Sequence, residues 1–188
     1  MTKSELRTLY KSKRKDLREE QIASLSVNIA NQALKLPIWD FEYYHLFLSI
    51  QSQNEVDTEY LLHVLQGKDK HVVISKSNFD SLEMTHYLLT DSTKINVNAW
   101  QIPEPVDGIQ IDPKKIDVVF VPLLAFDKQG HRVGYGKGFY DTFLSQCRPE
   151  TIKIGVSFFA AEDTIDNVRL EDITLDYCLT PHQVYAFV

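Results

Sequence analysis

Residues 130–141, GHRVGYGKGFYD, gather Gly130, Gly134, Gly136 and Gly138, the cations Arg132 and Lys137 and the carboxylate of Asp141 into one short stretch. The rest of the chain holds only three of its seven glycines. Alternating glycines let successive backbone N–H groups turn toward one anion, and a helix starting near Phe139 adds roughly half a positive charge at its amino end. Arg132 and Lys137 flank them with full charges, and the expected chemistry is phosphate binding. The stretch is not G-x-x-x-x-G-K-[ST], because Gly138 follows Lys137 where a magnesium-binding hydroxyl would be needed. Nor is it G-x-G-x-x-G. The plainer alternative is a tight turn that needs positive φ angles. Asp141 falls in the first turn of the expected helix, as a partner of the helix dipole or as a ligand to magnesium bridging phosphates.

A second basic element lies at the amino end. Lys3, Arg7, Lys11 and Arg14 recur every three or four residues and share one face of a helix. Such a stripe is either a solvated face or, for Lys3 and Arg7, an arm of a nucleotide site; Lys11, Lys13 and Lys15 read as surface charge. Glu55, between a strand and a helix, is placed either for solubility or to accept hydrogen bonds from a heterocycle. Trp100, in NAWQIPEP, is a core plug or a platform for a flat ring. Six scattered histidines and two cysteines, Cys147 and Cys178, match no zinc or redox spacing.

The elements that must carry these residues follow from periodicity. Thr2 and Glu5 form a capping box for a helix from about Lys3. Ile22, Leu25, Ile29, Ala33 and Leu34 give a second helix that Pro37 stops. Residues 43–49 read as a strand, Asp57 caps a short helix that Gly67 ends, and 71–75 and 85–90 are further strands. Residues 91–115, rich in proline, read mainly as an ordered loop. Residues 116–126 fit a strand buried on both faces, with the glycine stretch beyond its carboxyl end. A helix over 139–147 and strands at 152–159 and 184–188 complete the pattern. Strands alternating with helices predict an α/β fold: one domain over residues 1–188, a largely parallel sheet flanked by helices, and a phosphate loop after a buried strand.

At 188 residues, 44% hydrophobic and 24% charged, the composition is that of a globular domain rather than a disordered chain. The net charge of −6 argues against a nucleic-acid partner. No apolar run approaches the roughly 20 residues of a membrane span, and the amino terminus is too polar for a signal peptide. A monomer in a reducing cytoplasm, acting on small molecules, is expected.

PLLAFDKQGHRVGYGKGFYDTFL, with NEVDT upstream, NAWQIPEP between and LEDITLDYCLTP near the end, resembles the 5-formyltetrahydrofolate cyclo-ligase family, also called 5,10-methenyltetrahydrofolate synthetase. The likeness spans nearly the whole chain. It implies conversion of 5-formyltetrahydrofolate to 5,10-methenyltetrahydrofolate with ATP and Mg²⁺. ATP would be bound by Lys3, Ser4, Glu5, Leu6 and Arg7 and by Arg132, Gly134, Tyr135, Gly136, Lys137, Gly138, Phe139, Tyr140 and Asp141. Folate would meet the backbone near Ile50, the Glu55 carboxylate, Trp100 and the stretch from Tyr135 through Gly136, Lys137 and Gly138 to Phe139. Asp141 and Asp172 would be the metal ligands, with Arg132 and Lys137 acting on the reacting groups.

This chain departs from the family pattern where Phe139 replaces a common Tyr, where Glu171 replaces a common His, and where SFFAAED lacks a Gln. In the implied chemistry the γ-phosphoryl group passes to the formyl oxygen, N10 of the same folate attacks, and phosphate leaves. The nucleophile belongs to the substrate, so no Ser/His/Asp or Cys/His set is required. Two other readings share an α/β sheet with a glycine-rich anion loop. One is a sugar-phosphate isomerase or CoA-transferase-like enzyme, and the other is a non-catalytic nucleotide- or folate-binding protein.

Overall fold

The computed structural model describes residues 1–188. Helix α1 (Lys3–Lys15) starts at the expected capping box: the Thr2 hydroxyl accepts from the Glu5 N–H, and the Glu5 carboxylate accepts from the Thr2 N–H at 2.7 Å. Helix α2 (Glu19–Ala33) ends before Pro37. Strand β1 (Tyr43–His45), helix α3 (Glu59–Gly67) and strands β2 (His71–Asn78) and β3 (Glu83–Leu88) follow. The cap of α3 is Thr58 rather than the expected Asp57, which sits one residue earlier and accepts from the Glu59 N–H at 3.0 Å in a local turn. Next come β4 (Ile95–Val97), β5 (Pro103–Pro105), β6 (Val118–Pro122), β7 (Ala125–Phe126) and β8 (Arg132–Val133). Helix α4 (Phe139–Gln146) and strands β9 (Ile152–Val156), β10 (Tyr177–Leu179) and β11 (Val184–Ala186) complete the chain.

Seven strands form one sheet in the order β11-β10-β9-β6-β1-β2-β3. The inner pairs are parallel, and β11 and β3 add antiparallel edges. Alternation along β6 explains its central place. Val118 and Phe120 pack into the cluster with Ile29, Ala33, Leu61 and Leu65 of α2 and α3, while Val119 and Val121 pack with Phe143 and Leu144 of α4. A third cluster joins Leu6 and Tyr10 of α1 to Leu124, Ala125 and Val133, seating α1 against the ribbon of β7 and β8.

Four expectations need correction. The strand expected over 43–49 ends at His45, with one more sheet bond from the Leu46 N–H to the Val73 carbonyl. Beyond it the Phe47 carbonyl accepts from the Thr58 hydroxyl and the Ser49 hydroxyl donates to the Val56 carbonyl, tying the chain to the following loop. The strand expected over 116–126 ends at Pro122, whose missing N–H interrupts the ladder. Ala125–Phe126 then peels off to pair with Arg132–Val133, so the glycine stretch follows a hairpin rather than the buried strand itself. Residues 91–115 contain the ribbon β4–β5, whose proline positions sit in a two-stranded edge where their lost donors cost little. The strand β10 was not anticipated, being only three residues long between Asp176 and the Thr180–Pro181 pair.

Packing against the sheet is tight at Gly155 of β9. A Cβ there would lie 2.7 Å from Leu123 Cδ2 and 2.7 Å from Leu175 Cδ1. Gly155→Ala is therefore expected to cost about 1–3 kcal/mol by overpacking. A lowered urea midpoint with an unchanged slope would report it, and an unchanged midpoint would show that the layer can relax.

Candidate functional site

Beyond the carboxyl ends of β1, β2 and β6 lies a cleft of about 530 Å³. Its first wall is cationic. Lys3 and Arg7 of α1 reach it, and Lys11 lines its rim with its ammonium 5.7 Å from the Tyr135 ring centre. Ser4 and Glu5 turn outward to solvent and Leu6 is buried in the core, so the expected run from Lys3 to Arg7 contributes only its two ends. A helix repeat of 3.6 residues requires this.

Arg7 joins this wall to the glycine stretch. Its Nε donates to the Gly134 carbonyl at 2.9 Å, and its guanidinium lies 3.2 Å from where a Cβ on Gly136 would stand. Gly136 (φ +95°) and Gly138 (φ +77°) occupy the left-handed region, whereas Gly134 does not. Two of the three alternating glycines thus carry the backbone demand. None of the backbone N–H groups from Gly134 to Gly138 donates to another group of the protein. Gly138 precedes α4 directly, placing Phe139, Tyr140 and Asp141 in its first turn on the cleft wall.

Two ion pairs brace this end. Arg132, 7% exposed, donates to Asp141 Oδ1 at 2.6 Å and to the Ile173 carbonyl. Lys3 pairs with Asp172, whose Oδ2 also accepts from the Arg169 N–H at 2.7 Å. Burial raises the Asp172 pKa, but the Arg169 N–H and the Lys3 ammonium together hold it below the usual carboxylate value. Lys137 is exposed and makes no ion pair.

The opposite wall is apolar and aromatic around one buried carboxylate. Glu55 is 4% exposed, so solubility is not its role. Its Oε2 accepts from the Ile50 N–H at 2.7 Å and its Oε1 from the Tyr135 hydroxyl at 2.8 Å. Arg14 donates to that same hydroxyl at 2.7 Å and to the Leu123 carbonyl at 2.5 Å. Burial raises the Glu55 pKa, outweighing Arg14, the Ile50 N–H and Tyr135, and leaves it above the usual carboxylate range. The Ile50 N–H, expected to face a ligand, is thus occupied in holding Glu55. Trp100 is 62% exposed, which excludes a core plug; it stacks on Phe79 with ring centres 4.5 Å apart, and Phe79 meets Phe139 edge-on at 5.1 Å.

Sequence reasoning did not single out Phe79, His45 or Ser75; it placed Arg14 in the basic stripe of α1 without a role and left Lys11 as surface charge. Arg14 did carry a signal, lying two helical turns beyond Arg7 on the same face. His45 and Ser75 reach the cleft through strand pairing and Phe79 from the turn after β2, which spacing does not reveal.

The fold and the cleft define an α/β protein whose one large cleft sets a cationic glycine turn against an aromatic wall with a buried carboxylate. Comparison narrows this class. Residues 1–181 match the model of the 5-formyltetrahydrofolate cyclo-ligase family, and the chain belongs to that family. A probable 5-formyltetrahydrofolate cyclo-ligase of Schizosaccharomyces pombe is 27% identical, over 98% of this chain and 97% of its own. The NMR structure of Aquifex aeolicus 5,10-methenyltetrahydrofolate synthetase superposes with a TM-score of 0.84 at 31% identity, covering 100% of this chain and 93% of that one. A Mycoplasma pneumoniae 5,10-methenyltetrahydrofolate synthetase, 24% identical with a TM-score of 0.77 over 97% of this chain and all of its own, shares the fold. No helix is long and apolar enough to cross a membrane.

Proposed function

We propose that this protein converts 5-formyltetrahydrofolate to 5,10-methenyltetrahydrofolate, with ATP released as ADP and phosphate. The observation that carries the reading is one cleft joining two unlike ends. A glycine turn with unpaired amides and cations faces an aromatic wall with a buried carboxylate. Family membership supports it from the other side.

The formyl amide at N5 is a poor electrophile. Transfer of the γ-phosphoryl group to its oxygen gives an imidate-like phosphate, N10 attacks the formyl carbon, and the carbon–oxygen bond breaks as phosphate leaves. The chain's own residues orient and neutralise. Lys3, Arg7 and the amides of Gly134–Gly138 hold the triphosphate, while Arg132 and Lys137 face the transferring group. Glu55 accepts from N–H donors of the pterin, and Trp100 with Phe79 supplies the flat surface. Phe139 contributes a ring edge without a hydroxyl.

Asp141 and Asp172 fit a magnesium ion, since both line the cleft and Mg²⁺ takes only one or two carboxylates beside phosphate oxygens and water. When bound, the ion adds positive charge against the phosphates. Asp141→Asn is expected to raise several-fold the magnesium concentration giving half-maximal rate. Unchanged magnesium dependence would leave Asp141 only the task of holding Arg132. The reading includes a monomer acting in the cytoplasm on small molecules, without nucleic acid or membrane.

The direct test follows methenyl absorbance after adding 5-formyltetrahydrofolate with and without MgATP. Product formed only with MgATP is expected. ATP turnover without folate, or product without ATP, would overturn the reading.

A further inference from the structure

The floor of the cleft carries two polar side chains, His45 and Ser75, that the mechanism above does not use, with His86 buried beside them. His45 ends β1, and Ser75 and His86 are paired across β2 and β3. Ser75 Oγ lies 2.7 Å from His45 Nε2 and 2.7 Å from His86 Nδ1, and it has no third partner. His45 and Ser75 line the cleft. Phe143 of α4 covers both imidazoles, with ring centres at 4.8 Å from His45 and 4.2 Å from His86. The outer nitrogens, His45 Nδ1 and His86 Nε2, are buried without partners. Burial holds both rings neutral, lowering the His45 pKa well below its ordinary value and the His86 pKa to about 4.

Proton counting on this chain is restrictive. A neutral imidazole carries one N–H, and a serine hydroxyl has one hydrogen and two lone pairs. If Ser75 donates to either ring, that ring must carry its hydrogen on its outer nitrogen, where no acceptor exists. A buried N–H without an acceptor is rarer and costlier than an unfilled lone pair. Only one arrangement avoids it: both rings donate to Oγ, both outer nitrogens are bare, and both serine lone pairs are filled. The Ser75 hydrogen then has no partner in the protein.

We propose that Ser75 is a further substrate-binding residue, its hydroxyl hydrogen held toward the cleft by His45 and His86 as a donor to a carbonyl oxygen or imine nitrogen of the folate heterocycle. Glu55 accepts and Ser75 donates, so the two together read a ring edge that carries both N–H and an acceptor. This assignment rests on the folate reading of the cleft, but the lock itself does not.

Nitrogen-15 NMR of histidine-labelled protein without ligand decides the lock. His45 should carry its hydrogen on Nε2 and His86 on Nδ1; the opposite tautomer at either ring overturns it. Calorimetry decides the role. Ser75→Ala should weaken 5-formyltetrahydrofolate by about three- to ten-fold, the worth of one neutral hydrogen bond, and leave ATP affinity unchanged. Equal folate affinity, or parallel loss of ATP, overturns it. Should Ser75→Ala fail to fold, the wild-type spectrum still tests it: folate and not ATP should shift both ring N–H signals, and unmoved signals overturn the contact. A wild-type protein that binds no 5-formyltetrahydrofolate overturns the functional reading and the ligand assigned here, while the tautomers alone decide the lock.

Discussion

Lys137→Ala is expected to lower kcat on the order of 10²-fold while leaving folate affinity and the melting temperature near wild type. The argument starts from what Lys137 does not do. It is exposed, pairs with no carboxylate and sits between two left-handed glycines whose neighbouring amides are unpaired. Removing it deletes no hydrogen bond or ion pair of the ligand-free fold, and surface changes of that kind usually stay within about 0.5 kcal/mol of stability. Its charge can therefore matter only toward a ligand, and most where charge spreads over the transferring phosphoryl group. Arg132 makes the contrast. It is held by Asp141 and the Ile173 carbonyl, so Arg132→Ala would disturb the loop and the chemistry together. Steady-state kinetics with a parallel thermal melt separate the two, and an unchanged kcat for Lys137→Ala would remove the residue from the mechanism.

Local signals were legible in the chain where one element sufficed to produce them. The Thr2–Glu5 capping box, the apolar face of α2 and the two-sided burial of β6 arise from periods of 3.6 and 2 that each segment carries alone. The glycine turn announced itself through residues that few other structures require. Its position was misread by one hairpin because a proline at 122 stops a ladder without altering the hydrophobic run that continues to Phe126. The acidic residues at 141 and 172, far apart in the chain, do both reach the cleft.

What was not legible is tertiary. Arg14, Tyr135 and Glu55 come from a helix, a loop and another loop, and their hydrogen bonds exist only once α1 has docked on β7 and β8. His45, Ser75 and His86 meet through strand register, and nothing in their spacing marks them. Trp100 shows the opposite error. Its type suggested burial as readily as exposure, and only the ribbon β4–β5 with Phe79 determines that the ring stands at the mouth. The glycine-rich, cationic end of the cleft is therefore mainly a local property of the chain. The aromatic end around Glu55 is a property of the fold.

Glu55 is the sharpest test of that second end. Its two oxygens each accept one hydrogen bond from the protein, from the Ile50 N–H and the Tyr135 hydroxyl, and each keeps a lone pair for a ligand. Bonds from pterin N–H groups to a carboxylate are charge-assisted, and losing them should cost roughly 1.5–3 kcal/mol, about ten- to a hundred-fold in folate affinity. Glu55→Gln should be nearly as damaging as Glu55→Ala. The new NH₂ must face the Ile50 N–H, the Tyr135 hydroxyl or the ligand's own donors, and only Tyr135 can turn to accept. ATP affinity should barely move in either variant.

The pH dependence follows from the raised pKa, which burial imposes against Arg14, Ile50 and Tyr135. In the ligand-free protein the Glu55 contribution to stability is fully present below the ordinary carboxylate pKa and is lost as pH rises through the folded value. Ligand N–H donors favour the ionised form, so folate binding should strengthen over that same window, and Glu55→Gln should flatten both profiles. Calorimetry of each ligand on wild type and both variants, across that window, checks the whole argument. Parallel loss of ATP and folate binding would make Glu55 a structural residue, and a wild-type folate affinity independent of pH would show that the ligand does not meet its charge.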